Sequence, residues 1–115
     1  MRRGEIRLVN LDPVRGAEAN KRRPAVIVSN DGANSTAQRL GRGVVIVVPA
    51  TSNTERVYPF QVLLRASETG LERDSKAQAE QVRSVAVEHI GARVGVVPPE
   101  LLASLDEALR LHLAL

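Results

Sequence analysis

Lys21-Arg22-Arg23-Pro24 sets three cations in a row against a rigid proline, directly ahead of an apolar run. A guanidinium held beside such a junction can offer its planar fork to a phosphate, whereas a lysine acts there as a point charge. The same arginine can also be an ordinary surface cation. A second group, Thr51-Ser52-Asn53, follows the most apolar stretch of the chain. Its hydroxyls and loop amides can hold an oxyanion, or the threonine can simply close a turn on its own backbone. Carboxylates and amides stand at Glu18 and at Glu80-Gln81. His89 and His112 are the only histidines, and both lie away from these groups. With no cysteine and no cluster of carboxylates and histidines at ligand spacing, the residues offer no metal site, no thiolate nucleophile and no paired-histidine acid/base system.

The elements that must position these residues are punctuated clearly. Residues 5–11 read as a first strand, with Ile6 and Leu8 alternating with charged neighbours, and Asp12-Pro13 ends it. The polar stretch 14–23 is long for a hairpin and therefore a functional-loop candidate. Residues 25–29 form a second, buried strand; Asn30-Asp31-Gly32 turns the chain, and 34–40 makes a short helix. Residues 44–48 (Val-Val-Ile-Val-Val) are a central strand closed by Pro49 and followed by the polar loop 51–54. Strands are also expected at 61–64 and 94–97. Residues 75–87 are ambiguous: Ala-Gln-Ala-Glu-Gln favours helix, while Val82, Val85 and Val87 favour strand. Pro98-Pro99 then opens a helix with Leu101, Leu102, Leu105, Ala108, Leu109 and Leu113 at helical spacing. Short strands with one terminal amphipathic helix predict a mainly β, small antiparallel barrel.

The chain's 115 residues suffice for one domain, spanning 1–115. Tyr58 and Phe60 are the only aromatics, so the core must come from Val, Leu, Ile and Ala. The longest fully apolar run, residues 44–50, is far short of the ~20 a membrane span needs. The absence of cysteine suits a reducing cytoplasm, and a soluble cytoplasmic protein is expected. The net charge of +3 is unevenly spread: residues 1–42 carry nine Lys/Arg against four Asp/Glu, and the remainder seven against nine. Such a basic half fits a polyanionic partner, since neutralising phosphates releases counterions, and it also fits a merely solvated surface.

An ordered set of motifs resembles the MazF/PemK toxins. Arg3-Gly4-Glu5-Ile6 opens the first strand; Leu11-Asp12-Pro13, Gly16, Glu18 and Arg23-Pro24 follow, then Asn30-Asp31. Thr51-Ser52-Asn53, Asp74-Ser75, Glu80-Gln81-Val82-Arg83 and the terminal Leu105-Asp106-Glu107-Ala108-Leu109 complete it. Each piece alone is weak, but the ordered set covers essentially the whole chain. The resemblance implies an SH3-like barrel forming a two-fold homodimer. It also implies an endoribonuclease that cleaves single-stranded RNA, often at short motifs, and is held inactive by a cognate antitoxin covering the RNA groove. It assigns the catalytic arginine to Arg23 and the second catalytic residue to Thr51.

Beside them, Lys21 and Arg22 are expected to neutralise neighbouring phosphates, with Ser52 and Asn53 assisting Thr51. Glu18 either reads a base edge, orients Arg23, or is plainly solvated. Glu80 and Gln81, on a segment read as strand through the resemblance, either contribute to base selection or are surface. The chemistry implied is metal-free attack by the RNA's own 2′-hydroxyl, which needs alignment and stabilisation of a phosphorane-like transition state. The residues do not name a general base.

Two other classes compete. A CcdB-like, gyrase-binding toxin on the same barrel depends on a C-terminal Trp-Gly-Ile, whereas this chain ends Leu113-Ala114-Leu115 and has no Trp. A plain SH3-like RNA-binding module should show surface aromatics for stacking, and only two aromatics exist. The absence of a ligand cluster generates a direct expectation: RNA cleavage persists in excess EDTA. Activity lost on chelation and restored by one divalent metal would remove the internal-nucleophile mechanism.

Overall fold

The two central strands, which carry the apolar runs 25–28 and 44–48, set the architecture, because each buries both of its faces. In a computed structural model of the chain, which describes residues 1–11 and 22–115, the strands are β1 (Glu5–Asn10), β2 (Arg22–Ile27), β3 (Val44–Thr51), β4 (Gln61–Leu64), β5 (Ser75–Gln78), β6 (Arg83–Ala86) and β7 (Ile90–Val96). Helices α1 (Asp31–Leu40), α2 (Ala66–Thr69) and α3 (Pro99–Leu113) complete the order. All pairings are antiparallel, in the order β4-β5-β3-β2-β1-β7, with β6 also on β3. The mainly β antiparallel architecture with a C-terminal helix is the one expected.

Two clusters make up the core, one on each side of the curved sheet. Ile6, Val26, Val48 and Leu64 pack with Leu105 and Ala108 of α3. Val9, Ala25, Ile27, Val45 and Val47 pack with Val85 and with Ala37 of α1. Since alternate side chains of a strand face opposite ways, a strand feeding both clusters must be apolar throughout. That is why residues 25–28 and 44–48 read as unbroken apolar runs.

Several boundaries differ from the sequence reading. β2 begins at Arg22 rather than Ala25, so Arg22 and Arg23 are already strand residues, paired with Asn10 and Val9. Pro49 does not close β3, which continues to Thr51. On one side Pro49 faces Ala25; on the other, β6 pairs only as far as Val47 and β5 starts at Ala50. At Pro49 that second side therefore has no ladder partner requiring an amide.

Asn30-Asp31-Gly32 is not a separate turn. Asn30 caps α1, its side chain accepting from the Ala33 amide at 2.8 Å, and the helix ends on Gly41 at φ 66°. The ambiguous segment 75–87 resolves into β5, a 3₁₀ turn (Ala79–Gln81), β6 and the start of a second 3₁₀ turn. Glu80 and Gln81 thus sit in a turn and not in a strand. The last strand starts at Ile90, four residues earlier than expected. Pro98 and Pro99 open α3 as anticipated.

The chain ends are clasped to this frame. Arg3 donates through Nε to the Val28 carbonyl at 2.7 Å and through Nη2 to Asp106 of α3 at 2.5 Å. Its amide donates to Asp31 at 2.6 Å, and this bond foremost holds the Asp31 carboxyl below the usual carboxylate range. Asn34 of α1, fully buried, donates to the Ser29 carbonyl and accepts from the Ser29 hydroxyl. Among the described residues no helix is long and apolar enough to cross a membrane.

Leu105 is fully buried where α3 meets the sheet. Leu105→Ala should lower unfolding free energy by ~2–5 kcal/mol in urea titrations, through lost transfer energy and a residual cavity. Leu111→Ala on the same helix, at a position 60% exposed, should stay within ~0.5 kcal/mol of the parent.

Candidate functional site

Arg23 and Thr51 line one cleft where a strand register ends. β2 and β3 pair Ile27 with Val47, Val26 with Val48 and Ala25 with Pro49. Arg23 and Thr51 lie just beyond that last pair, each two residues along its strand from Ala25 or Pro49. Beyond Ala25–Pro49 the ladder has ended, and a cleft of about 730 Å3 opens there. Arg23, Thr51 and Ser52 all line it. The apolar part of its wall includes Leu8, Pro24, Leu71 and Val94.

Arg23 is a ridge between two depressions. It also borders a smaller one of about 240 Å3, together with Leu11, Gln81 and Arg83. Arg23 is exposed, and among the described residues it has no carboxylate within ion-pair distance. A guanidinium so placed can offer its planar fork to an anion.

Thr51 reconciles two readings of its hydroxyl. Oγ1 accepts from the Asn53 amide at 3.3 Å, and Asn53 Oδ1 in turn accepts from the Glu55 amide at 3.3 Å. The turn therefore uses the lone pairs of Thr51, while a hydroxyl still carries one proton to donate. No acceptor for that proton lies among the described residues. A donor oriented by its own turn suits a non-bridging phosphate oxygen.

The remaining residues divide. Glu18 and Lys21 lie outside the described residues, as do Asp12, Pro13 and Gly16. Arg22 takes another direction: a Cβ added to Gly91 of β7 would sit 2.5 Å from Arg22 Nη1. The glycine thus makes room for this guanidinium, which lies against β7 and does not line the cleft. Gln81 reaches the smaller depression. Glu80 is drawn into a structural relay, since Gln61 Nε2 donates to its Oε2 at 2.7 Å and the Tyr58 amide donates to Gln61 Oε1 at 3.1 Å. Its other oxygen is buried with no partner among the described residues.

Tyr58 does not pack under a loop: it is 41% exposed, stacked on Phe60 with centroids 5.4 Å apart. Arg56 and Lys76 each lie 5.8 Å from its ring centroid. Lys76, the cross-strand partner of Thr51, is buried and donates to the Arg56 carbonyl at 2.5 Å. It thereby ties the loop after Thr51 to β5.

Two arginines were missed as site residues. Arg83 stands within a motif quoted above, but nothing in its spacing shows that Nη1 donates to the Leu11 carbonyl at 2.9 Å. Arg73 lines the main cleft from the segment between α2 and β5. A single cation in an irregular segment carries no periodic signal. Among the described residues no group of three or more His, Cys, Asp or Glu is placed to hold a metal ion.

An antiparallel sheet backed by a C-terminal helix in this order is a fold already known. Over residues 2–113 the chain matches the family described as PemK-like, MazF-like toxin of type II toxin-antitoxin system, and it belongs to that family. It is 65% identical over 115 residues to Endoribonuclease MazF9 of Mycobacterium tuberculosis, covering 100% of this chain and 98% of that protein. To the Endoribonuclease toxin MazF of Escherichia coli K12 it is 38% identical over 100 residues, covering 86% and 81%. A mycobacterial endoribonuclease solved in complex with its cognate antitoxin shares the fold, with a TM-score of 0.77 at 23% identity, covering 100% and 96%. These similarities lend nothing to a gyrase-binding role.

If the Thr51 proton is what the site uses, Thr51→Ser should cleave RNA within about tenfold of the parent. Thr51→Val, isosteric but without a donor, should lose ~10²-fold or more in single-turnover rate, the scale of a missing oxyanion donor. Equal activity of both variants would assign Thr51 to the turn alone.

Proposed function

We propose that this protein is a sequence-specific endoribonuclease toxin, cleaving single-stranded RNA through Arg23 and Thr51. The observation that supports the site assignment is that both residues line one cleft, just beyond the last β2–β3 pair, Ala25–Pro49. The 2′-hydroxyl oxygen attacks the adjacent phosphorus, giving up its proton to solvent, while the P–O5′ bond breaks. A 2′,3′-cyclic phosphate forms, and the departing oxygen takes a proton from solvent and leaves as a 5′-hydroxyl. Negative charge gathers on the non-bridging oxygens in between. The Arg23 fork and the Thr51 hydroxyl donate to those oxygens, lowering the barrier where the charge develops. Neither step calls on a metal.

Ser52 and Asn53 shape the loop around that oxyanion, and Gln81 offers an amide to a base from the smaller depression. Glu18 and Lys21 complete the RNA contacts, while Glu80 is committed to Gln61 and supports the loop. Arg22, against β7, meets a phosphate outside the cleft. As a member of its family the protein works as a two-fold homodimer in the cytoplasm. It is silenced there by a cognate antitoxin whose acidic tail covers the basic groove.

The two neighbouring arginines test this. Arg23→Ala should lower single-turnover cleavage by ~10²-fold or more, with a much smaller loss of affinity for an uncleavable 2′-deoxy RNA. Arg23→Lys should remain poor, because it keeps charge without the planar fork. Arg22→Ala should weaken binding and flatten its salt dependence by about one phosphate contact, leaving the rate at saturating RNA unchanged. The opposite pattern would reverse the residue assignment.

A further inference from the structure

Residues 70–73 and Ser75 also line the main cleft, and the segment that carries them is built rigidly. The Asp74 carboxylate accepts from the Ala66 amide at 2.8 Å, pinning the segment to the start of α2. Thr69 Oγ1 accepts from the Leu71 amide at 3.2 Å and donates to the Arg65 carbonyl at 2.9 Å. Leu71 is buried beside Gly95, where an added Cβ would stand 2.7 Å from the Thr69 carbonyl and 3.5 Å from Leu71 itself. Arg73 is held through its own carbonyl, which accepts from the Ser75 hydroxyl at 3.2 Å. Its side chain is exposed to the cleft, and no carboxylate among the described residues lies within ion-pair distance of it. A cation left unneutralised on a fixed backbone is prepared for an anion from outside.

Besides Arg73 and Arg23, the lining includes the apolar residues Leu8, Pro24, Leu71 and Val94. A ligand that suits two cations and an apolar wall carries two anions with a flat, weakly polar body between them. A nucleotide within a strand has that form, its base flanked by its 5′ and 3′ phosphates. Glu72, in the same wall, adds an acceptor able to take a hydrogen bond from a base amino group. The side chains of an acidic peptide, the other occupant that two arginines would attract, are acceptors only and offer Glu72 no such donor.

We infer that Arg73 is a second RNA-phosphate contact in the same cleft as Arg23, and that the apolar lining of that cleft receives one nucleobase beside the scissile phosphate. This rests on the endoribonuclease reading. It adds a binding residue and a base subsite to it.

The test first maps a cleavage site in a transcript pool with the parent protein. A short RNA spanning that site, with 2′-deoxyribose at the attacking nucleotide, then reports binding without turnover. Arg73→Ala should weaken its affinity by about tenfold and reduce the salt dependence by roughly one phosphate contact. Arg73→Glu should weaken it further, whereas Arg73→Lys should restore it to within about threefold, since a phosphate contact needs charge more than a fork. Arg42→Ala, at an exposed arginine that does not line the cleft, controls for the loss of one charge and should bind like the parent. Single abasic substitutions along the RNA should locate one nucleotide beside the cleavage point whose base contributes at least about tenfold to affinity.

Parent-like RNA binding by Arg73→Ala, or a flat abasic scan, would overturn the inference while leaving Arg23-dependent cleavage intact. Loss of polyglutamate binding without loss of RNA binding in Arg73→Ala would overturn it too, by assigning the residue to an acidic protein. A parent protein that neither cleaves nor binds RNA would instead overturn the reading beneath it.

Discussion

The register between β2 and β3 is the constraint on which the site depends. Side chains alternate along a strand, so a slip of one residue would turn Arg23 away from Thr51 and also exchange the two faces of β2. Two-sided burial forbids that slip. Val26 and Val48 pack under α3, while Ile27 and Val47 pack against β6 and α1. Each cluster would have to accept the other's side chains, and Arg23 would be carried onto the other face. The same burial that stabilises the sheet therefore aims the guanidinium.

The register also ends at the right place. Pro49 leaves a gap in the second ladder of β3 between β6 and β5, and beyond Ala25–Pro49 the pairing with β2 stops. Strands that part after a fixed register leave polar side chains facing open space from a rigid base. Thr51 takes advantage of this, being the last residue of β3 and the acceptor of its own turn. Lys76, its partner on the other side, holds the following loop through the Arg56 carbonyl. The two proposed catalytic residues thus stand on strand ends, where position is set by the core.

Much of this was legible in the sequence because the signals are local. Central strands rich in β-branched residues announce themselves as unbroken apolar runs, and α3 shows its proline start and leucine spacing. The ordered motifs named the family and pointed to Arg23 and Thr51. Elements with mixed signals were read less well. Residues 79–81 favour helix by propensity and strand by context, and they settle as a 3₁₀ turn between two strands. Residues 66–69 were not anticipated as helical, since a helix of four residues has no room for a period.

By itself, then, the sequence determined that the chain forms a mainly β domain with a C-terminal helix, which residues are apolar, and that a basic segment and a hydroxyl-bearing loop flank buried strands. Only the tertiary structure decided which of these residues meet. Arg22 and Arg23 are adjacent in sequence and chemically alike, yet one lies against Gly91 of β7 and the other lines the cleft. Arg73 lies 50 positions from Arg23 in the chain, and it enters the cleft because Asp74 and Leu71 fasten its segment to α2 and β7. Local propensity is written in neighbouring residues, whereas a site is assembled by packing between segments that no short window contains.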